Sequence, residues 1–179
     1  NSKGIAAINL LPLSQGEKVN ALIDIDQVDP QANLFMATEK GLVKKTALHE
    51  FRNVRRNGLI AISLVDGDHL AKVRMTKGNQ NIILATKQGM AICFSETDVR
   101  PMGRNTRGVR GISLAKDDIV IGADILAPDS QVLTVSEEGF GKRNNVDAYK
   151  VQFRGGKGVK NFKITEKTGV IVGVEVVRD

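Results

Sequence analysis

The chain contains the octapeptide Arg107-Gly-Val-Arg-Gly-Ile-Ser-Leu114, and related octapeptides stand before and after it. Each has a glycine at its second position, and these glycines lie 54, 50 and 50 residues apart: Gly4, Gly58, Gly108 and Gly158. A period of about 50 residues built from short apolar runs is typical of a propeller-like array of four-stranded blades. An ordinary β-sandwich is the alternative, but regular spacing of matched glycines is hard to obtain in a sandwich.

Four short runs rich in Ile, Val and Leu follow one another in each repeat, and this composition favours strands. First runs are expected at 5–10, 59–64 and 109–114, second runs at 19–25, 69–75 and 119–126, third runs at 34–38, 82–86 and 132–135, and fourth runs at 42–47, 90–94 and 140–144. Polar residues and a glycine separate each third run from the fourth, at Gly41, Gly89 and Gly139. Glycine supplies the positive φ of a tight hairpin turn. The pattern predicts an all-β array of about three and a half blades, with repeats at about 1–54, 55–104, 105–154 and an incomplete 155–179.

Length and composition bound the class of protein. The chain has 179 residues, a formal net charge of +6 and an isoelectric point near 9.6, which admits a polyanionic partner without requiring one. The single cysteine, Cys93, excludes an internal disulfide and fits a reducing compartment. No apolar run approaches the roughly 18 residues of a membrane-spanning helix, and no signal peptide opens the chain. Because the chain opens in the middle of a repeat pattern, we interpret it as a piece of a longer protein.

The basic residues concentrate in the long loops that close each repeat and in two of the fourth runs, while the acids Asp66, Asp68, Asp117 and Asp118 occupy other turns. The candidate phosphate-binding residues are Lys44, Lys45, Arg52, Arg55, Arg56, Arg100, Arg104, Arg107, Arg110, Lys142, Arg143, Arg154, Lys157 and Lys160. In the second repeat Ile92 and Cys93 replace the fourth-run cations, so we expect that blade to contribute less.

If the repeats stack radially, equivalent loops fall on one rim and their cations form a curved track. Such a track suits a phosphate backbone, because each neutralised phosphate releases counterions whatever the base sequence. Two other hypotheses stay open on charge alone. The cations can be solvated loop charges that keep the fold soluble, or the same rim can bind acidic protein partners.

Several separate motifs resemble one known family. They are Asn105-Thr-Arg-Gly-Val-Arg-Gly-Ile112, Gly139-Phe-Gly-Lys-Arg143, Arg154-Gly-Gly-Lys-Gly158, Phe35-Met-Ala-Thr-Glu-Lys-Gly-Leu-Val-Lys-Lys-Thr46 and Leu64-Val-Asp-Gly-Asp68. Together they look like the C-terminal domain of the bacterial DNA gyrase A subunit, with the topoisomerase IV C-terminal domain as a close second. The resemblance covers nearly the whole chain.

This resemblance implies a β-pinwheel, a propeller variant of six blades joined by swapped strands, of which the chain would be an open arc. It implies sequence-independent binding and wrapping of double-stranded DNA in support of ATP-dependent negative supercoiling. The implied partners are DNA and the rest of the gyrase A and B subunits in an A2B2 assembly, with no membrane. The implied location is the bacterial cytoplasm, at the nucleoid. ATP and Mg²⁺ would belong to other domains, with no cofactor in this chain.

One departure concerns the family's glycine-rich basic box, Gln-Arg-Arg-Gly-Gly-Lys-Gly. Here residues 152–158 carry Phe153 where that box has its first arginine, and three repeats precede them. We interpret this stretch as a degenerate copy in a later blade, so the intact box would lie upstream of Asn1.

No group of residues predicts catalysis or metal binding. Tyr149 occupies the position held by Phe51 and Val99 in other repeats, so it is predicted to pack rather than to cleave DNA. The two histidines, His49 and His69, have no second ligand at metal-binding spacing. Cys93 is expected to pack in a strand. The stretch from Asp66 to Asp68 is expected to form a turn, since a calcium loop needs further ligands. The sequence therefore predicts a non-catalytic domain.

Overall fold

The structure, a computed structural model, describes residues 4–6, 9, 13, 19–23, 29, 31–53 and 58–178. Within these ranges the chain forms eleven β-strands, and a short 3₁₀ segment follows each of β2, β5 and β9. The strands are β1 (Asn33–Thr38), β2 (Leu42–Ala47), β3 (Leu70–Thr76), β4 (Asn81–Thr86), β5 (Met90–Ser95), β6 (Val109–Arg110), β7 (Val120–Leu126), β8 (Gln131–Ser136), β9 (Gly141–Asn145), β10 (Val159–Lys160) and β11 (Ile171–Val177). The all-β prediction is confirmed.

The strands form three antiparallel sheets, which we call blades 1, 2 and 3. Their strand orders are β3-β1-β2-β6, β7-β4-β5-β10 and β11-β8-β9. Strand β7 contacts both β3 and β11, so the first strand of each order is the innermost one. Strands β6 and β10 therefore lie at the outer edges of blades 1 and 2.

Each blade combines strands from successive sequence repeats. In each blade a hairpin supplies two strands and the second run of the next repeat supplies the inner strand. In blades 1 and 2 the first run of the repeat after that supplies the outer strand. Residues 155–178 accordingly provide β10 to blade 2 and β11 to blade 3. Because the blades exchange strands, neighbouring blades are joined by backbone pairing as well as by packing.

The prediction that each first run forms a full strand is wrong. Among the described residues, the first-run segments that pair with a blade are Val109–Arg110 and Val159–Lys160, and residues 58–64 form no strand. The predicted runs at 5–10 and 19–25 lie partly outside the described residues. The chain leaves the sheet after two residues because the next two amide groups, those of Gly111 and Ile112, both donate to the Gly41 carbonyl oxygen at 2.8 and 3.3 Å. The first run therefore turns across the end of the hairpin instead of continuing beside it.

Two apolar cores fill the spaces between the blades. Ile82 and Leu84 of β4 pack with blade 1, whereas Ile83 and Ala85 pack with blade 3. Since both faces of β4 are buried, its apolar residues run consecutively instead of alternating with polar ones. Burying a side chain such as Leu84 contributes about 1.5–3 kcal/mol, so these cores account for most of the attraction between blades.

An ionic network joins the three innermost strands. Arg74 on β3 pairs with Asp124 on β7 at 2.9 Å and with Glu175 on β11 at 2.7 Å, and Lys72 pairs with Glu175 at 2.7 Å. Burial tends to raise the pKa of Asp124, but hydrogen bonds from Arg74 and from the Val176 and Ile125 amides outweigh it and lower that pKa. Acids and bases thus neutralise one another at the inner ends of the sheets.

Candidate nucleic-acid interface

The outer edges of blades 1 and 2 are each covered by a ten-residue loop, which we call arch 1 (residues 101–110) and arch 2 (residues 151–160). Arch 1 begins beside β2, where the Met102 amide donates to the Lys45 carbonyl oxygen at 2.8 Å, and returns to it as β6. Arch 2 begins beside β5, where the Gln152 amide donates to the Cys93 carbonyl oxygen at 2.9 Å, and returns as β10. Both arches are therefore pinned to their blade at each end.

Arch 2 also docks on the chain that leaves arch 1. The Gly155 amide donates to the Gly111 carbonyl oxygen at 2.7 Å, and the Ser113 amide donates to the Gly156 carbonyl oxygen at 2.8 Å. The Ser113 hydroxyl adds a bond of 2.7 Å to the Gly155 carbonyl oxygen. One repeat earlier, the Ser63 amide donates to the Thr106 carbonyl oxygen of arch 1 at 3.1 Å. The same backbone hydrogen bond thus recurs one repeat apart, and arches 1 and 2 form one continuous outer edge.

Basic residues occupy matched positions, 50 residues apart, in and just before the two arches. The pairs are Arg100 and Lys150, Arg104 and Arg154, Arg107 and Lys157, and Arg110 and Lys160. Neither arch contains an acidic residue. In the part of the chain that the structure describes, ion pairs join the innermost strands and involve none of these cations. Among the described residues, these cations therefore lie outside any ion pair.

The exposed members of this set are the best placed to meet a ligand. They are Arg100, Arg107, Arg110, Lys150, Lys157 and Lys160. The two half-buried members, Arg104 and Arg154, form hydrogen bonds that hold the arches in place. Arg154 donates from Nε to the Asp98 carbonyl oxygen at 2.9 Å and from Nη1 to the Arg110 carbonyl oxygen at 3.0 Å. Arg104 accepts a hydrogen bond at its carbonyl oxygen from the Lys44 ammonium.

The prediction that Lys44 and Lys45 contact phosphate is not supported by their surroundings, because both are buried at 0% and 4% exposure. The Lys44 ammonium donates to the Ala61 carbonyl oxygen at 2.7 Å and the Lys45 ammonium to that of Glu96 at 2.9 Å. Burial lowers the pKa of Lys44, an effect that Glu50 partly opposes. Both lysines connect neighbouring segments beneath arch 1, so we exclude them from the interface.

This assignment predicts different effects on stability and on DNA binding for Lys44→Met and Lys45→Met. Lys44→Met leaves the Ala61 and Arg104 carbonyl oxygens without their ammonium donor, which we expect to lower the free energy of unfolding by about 1–3 kcal/mol. Lys45→Met should cost less, because the Glu96 carbonyl oxygen keeps the Val99 amide as a donor at 3.1 Å. The salt dependence of DNA binding should not change, because both ammonium groups are buried beneath arch 1 and neither is exposed to a phosphate. Urea unfolding and salt titration of binding measure the two effects. A reduction of the salt slope by about 0.9 per lysine, the value for one phosphate contact, would restore them to the interface.

The remaining candidate phosphate-binding residues lie apart from the arches or outside the described residues. Lys142 is exposed, but its ammonium donates to the Asn161 carbonyl oxygen at 2.9 Å, as that of Lys44 does to Ala61 at the matched position. Arg143 is exposed on β9, and Arg52 is exposed just after the 3₁₀ segment that follows β2. Arg55 and Arg56 lie outside the described residues.

The residues predicted to pack do so. Tyr149 lies in the core between blades 2 and 3, and its hydroxyl donates to Asn161 Oδ1 at 2.5 Å. Burial raises the pKa of Tyr149, and it raises the pKa of Cys93 to about 11. The turn expected from Asp66 to Asp68 is present, since the Asp68 amide donates to the Val65 carbonyl oxygen at 3.0 Å. The Asp68 carboxylate accepts the amides of Lys40 and His69 at 2.9 and 2.8 Å. Within the described ranges, no group of three or more His, Cys, Asp or Glu side chains could hold a metal ion.

Fold and site together define a class of protein: a strand-exchanged β-propeller domain with a basic outer edge. A family model described as "DNA gyrase C-terminal domain, beta-propeller" matches residues 32–77, 80–127 and 130–178. Each matched segment holds one hairpin and the inner strand of its blade. The chain belongs to the family of DNA gyrase A C-terminal domains.

Full-length proteins and solved structures agree with this assignment. The chain is similar to the A subunit of DNA gyrase from Clostridium acetobutylicum, with 50% identity over 99% of the chain and 21% of that protein. It is also similar to the A subunit of DNA gyrase from Escherichia coli, with 41% identity over 99% of the chain and 20% of that protein. The chain thus spans about a fifth of the length of these curated relatives.

Among solved structures, a DNA gyrase A C-terminal domain matches with a TM-score of 0.87 and 26% identity, over 98% of this chain and 59% of the other. The C-terminal domain of a DNA topoisomerase IV matches with a TM-score of 0.90 and 24% identity, over 98% and 55%. At 24% identity, the topoisomerase IV match shows that the two folds are alike and no more. Both matches are consistent with a β-pinwheel.

Proposed function

We propose that the chain binds double-stranded DNA along the outer edge formed by arches 1 and 2, and that it wraps the duplex without reading its bases. The observation that carries the proposal is the repetition of exposed cations at the same arch positions in two successive blades. The relatives' name, DNA gyrase, supports DNA as the polyanion.

The proposed contacts are charge-assisted hydrogen bonds to phosphate oxygens. Arg107 and Arg110 can each donate two parallel bonds to one phosphate, whereas Lys157 and Lys160 act as point charges. Such contacts fix the position of the duplex and carry no direct sequence information. Bending 20–30 bp by 40–90° around a convex edge costs on the order of 1–6 kcal/mol, so several phosphates must be neutralised together. Matched cations on successive blades meet that requirement.

In this proposal the chain contributes no chemistry of its own to the type II topoisomerase. Cleavage, ATP hydrolysis and Mg²⁺ binding belong to other parts of the gyrase A and B subunits in an A2B2 assembly, and wrapping directs that machinery towards negative supercoiling. The proposed location is the bacterial cytoplasm, at the nucleoid. Among the described residues, no helix is both long and apolar enough to cross a membrane.

A salt titration tests the proposal. Duplexes of equal length and unrelated sequence should bind with similar affinity, and log K should fall linearly with log salt concentration. A linear dependence common to all duplexes supports binding through phosphate contacts. Failure to bind any duplex, together with retention of an acidic protein that DNA does not displace, would favour a protein-binding edge instead.

A further inference from the structure

Arch 2 carries a large apolar side chain that the other described residues leave uncovered. Phe153 is 85% exposed, the highest value among the exposed aromatic residues of the described chain. The matched position in arch 1 is Gly103, so only one of the two arches has this side chain. Val151 and Val159 of the same arch are also half-exposed. Phe153 therefore needs an explanation other than packing.

The backbone around Phe153 is held on both sides. Before it, the Gln152 amide donates to the Cys93 carbonyl oxygen at 2.9 Å. After it, the Arg154 guanidinium binds the carbonyl oxygens of Asp98 and Arg110 at 2.9 and 3.0 Å. The aromatic ring is thus presented from a fixed support, so little backbone entropy is lost when it enters a partner.

The surroundings of Phe153 indicate what that partner is. The exposed cations Lys150, Lys157 and Lys160 lie within seven residues of it in the chain. Arg110 of the neighbouring arch lies against Gly155, its Cδ 3.9 Å from the place where a Cβ would stand. Arch 2 has no acidic residue. An exposed aromatic side chain flanked by cations fits a ligand that is anionic outside and apolar inside, and duplex DNA has phosphates outside and stacked bases inside.

We propose that Phe153 is a wedge that enters the minor groove and partly separates one base step of the duplex wrapped on blade 2. This inference rests on the proposed function and deepens it. Apolar wedges between base steps kink a duplex by about 20–90°, at a cost of a few kcal/mol per step, and the kink brings more phosphates onto the protein. Since arch 1 has Gly103 at the matched position, the kink is local to blade 2 and the path over blade 1 bends smoothly.

A local wedge gives a weak sequence preference to an otherwise uniform binding site. Pyrimidine–purine steps such as TA unstack most easily, whereas the phosphate contacts are the same for every step. The step that faces Phe153 is therefore expected to be TA when the duplex can choose its register. This preference should vanish when the apolar side chain is removed, while DNA binding through the phosphate contacts persists.

The test compares Phe153→Ser, which removes the wedge, with Phe153→Leu, which keeps an apolar one. The probe is a duplex of about 30 bp that carries a single TA step flanked by 2-aminopurine, with a GC-only duplex of the same length as its control. The wild type and the Leu variant should raise the 2-aminopurine fluorescence on binding and prefer the TA duplex. The Ser variant should lose the fluorescence change and bind the TA duplex roughly 10-fold more weakly, no better than the GC-only duplex.

The outcomes separate this inference from the proposed function. Equal fluorescence changes with the wild type and the Ser variant overturn the wedge but leave DNA binding intact. Absence of binding by the wild type overturns both proposals. If Phe153→Ser leaves DNA binding and bending unchanged but abolishes capture of another protein, the aromatic ring belongs to a protein contact and the wedge is wrong.

Discussion

Replacing Arg107, Lys157 and Lys160 together by glutamine will reduce the slope of log K against log salt concentration by roughly 2.7, the sum of about 0.9 for each phosphate that is no longer neutralised. All three side chains are exposed on arches 1 and 2, and none forms an ion pair within the described residues. The reduction should be equal for duplexes of unrelated sequence, because the contacts are to phosphate. Salt titration by fluorescence anisotropy measures the slope directly.

The matched control is the triple variant Lys77→Gln, Lys116→Gln, Lys167→Gln. It changes the net charge by the same amount and also replaces exposed lysines, but these flank the innermost strands β3, β7 and β11. We expect its salt slope to stay within experimental error of the wild type. Equal reductions in the two triple variants would show that net charge, rather than the outer edge, determines binding.

Gly158→Ala should both destabilise the protein and release arch 2. The φ of Gly158 is +74°, and a Cβ at this position would lie 2.2 Å from the Ala91 carbonyl oxygen, which belongs to the backbone of β5. A left-handed non-glycine residue alone costs about 1–3 kcal/mol, and the clash requires β10 to move away from β5. We expect the free energy of unfolding to fall by more than about 4 kcal/mol, in the range of exceptional single substitutions.

Gly139→Ala is the control for the backbone strain alone. Its φ is +80°, but no described atom lies within 4 Å of the place of its Cβ. It should therefore lose only the roughly 1–3 kcal/mol of the left-handed conformation. Urea unfolding gives both values, and hydrogen exchange of the Gln152 and Gly155 amides reports whether arch 2 is still docked. Similar losses in the two variants, with both amides protected, would contradict the close approach seen at Gly158.

The sequence predicts the hairpins well because their signal is local. Gly41, Gly89 and Gly139 all have φ between +80° and +82°, and each follows the end of a central strand as the spacing indicates. The exchange of strands between blades follows from the family resemblance but not from the spacing alone. Every repeat contains the same four runs whether a first run pairs within its own repeat or with a hairpin two repeats earlier.

The candidate site could be predicted only in part for the same reason. The cations of the arches are readable as charges in long loops. Lys44 and Lys45 carry the same charge, yet strand exchange lays arch 1 over them and supplies carbonyl oxygens from residues 17 to 60 positions away. The exposure of Phe153 could not be predicted either, since Phe162 of the next run is also aromatic and is buried. Charge and apolarity are properties of a residue, whereas its burial depends on which other segments the fold packs against it.

The measurement that tests the outer edge most directly is photocrosslinking from single positions. A photoreactive side chain is introduced at residue 107 on arch 1, at residue 157 on arch 2 or at residue 77 beside β3, and a variant that carries it at both 107 and 157 is added. A duplex long enough to span both arches should crosslink from 107 and from 157, with the double variant joined twice to one duplex, and not from 77. Crosslinking from residue 77 as strong as that from the arches, or a double variant that never joins one duplex at both positions, would contradict a continuous DNA-binding edge.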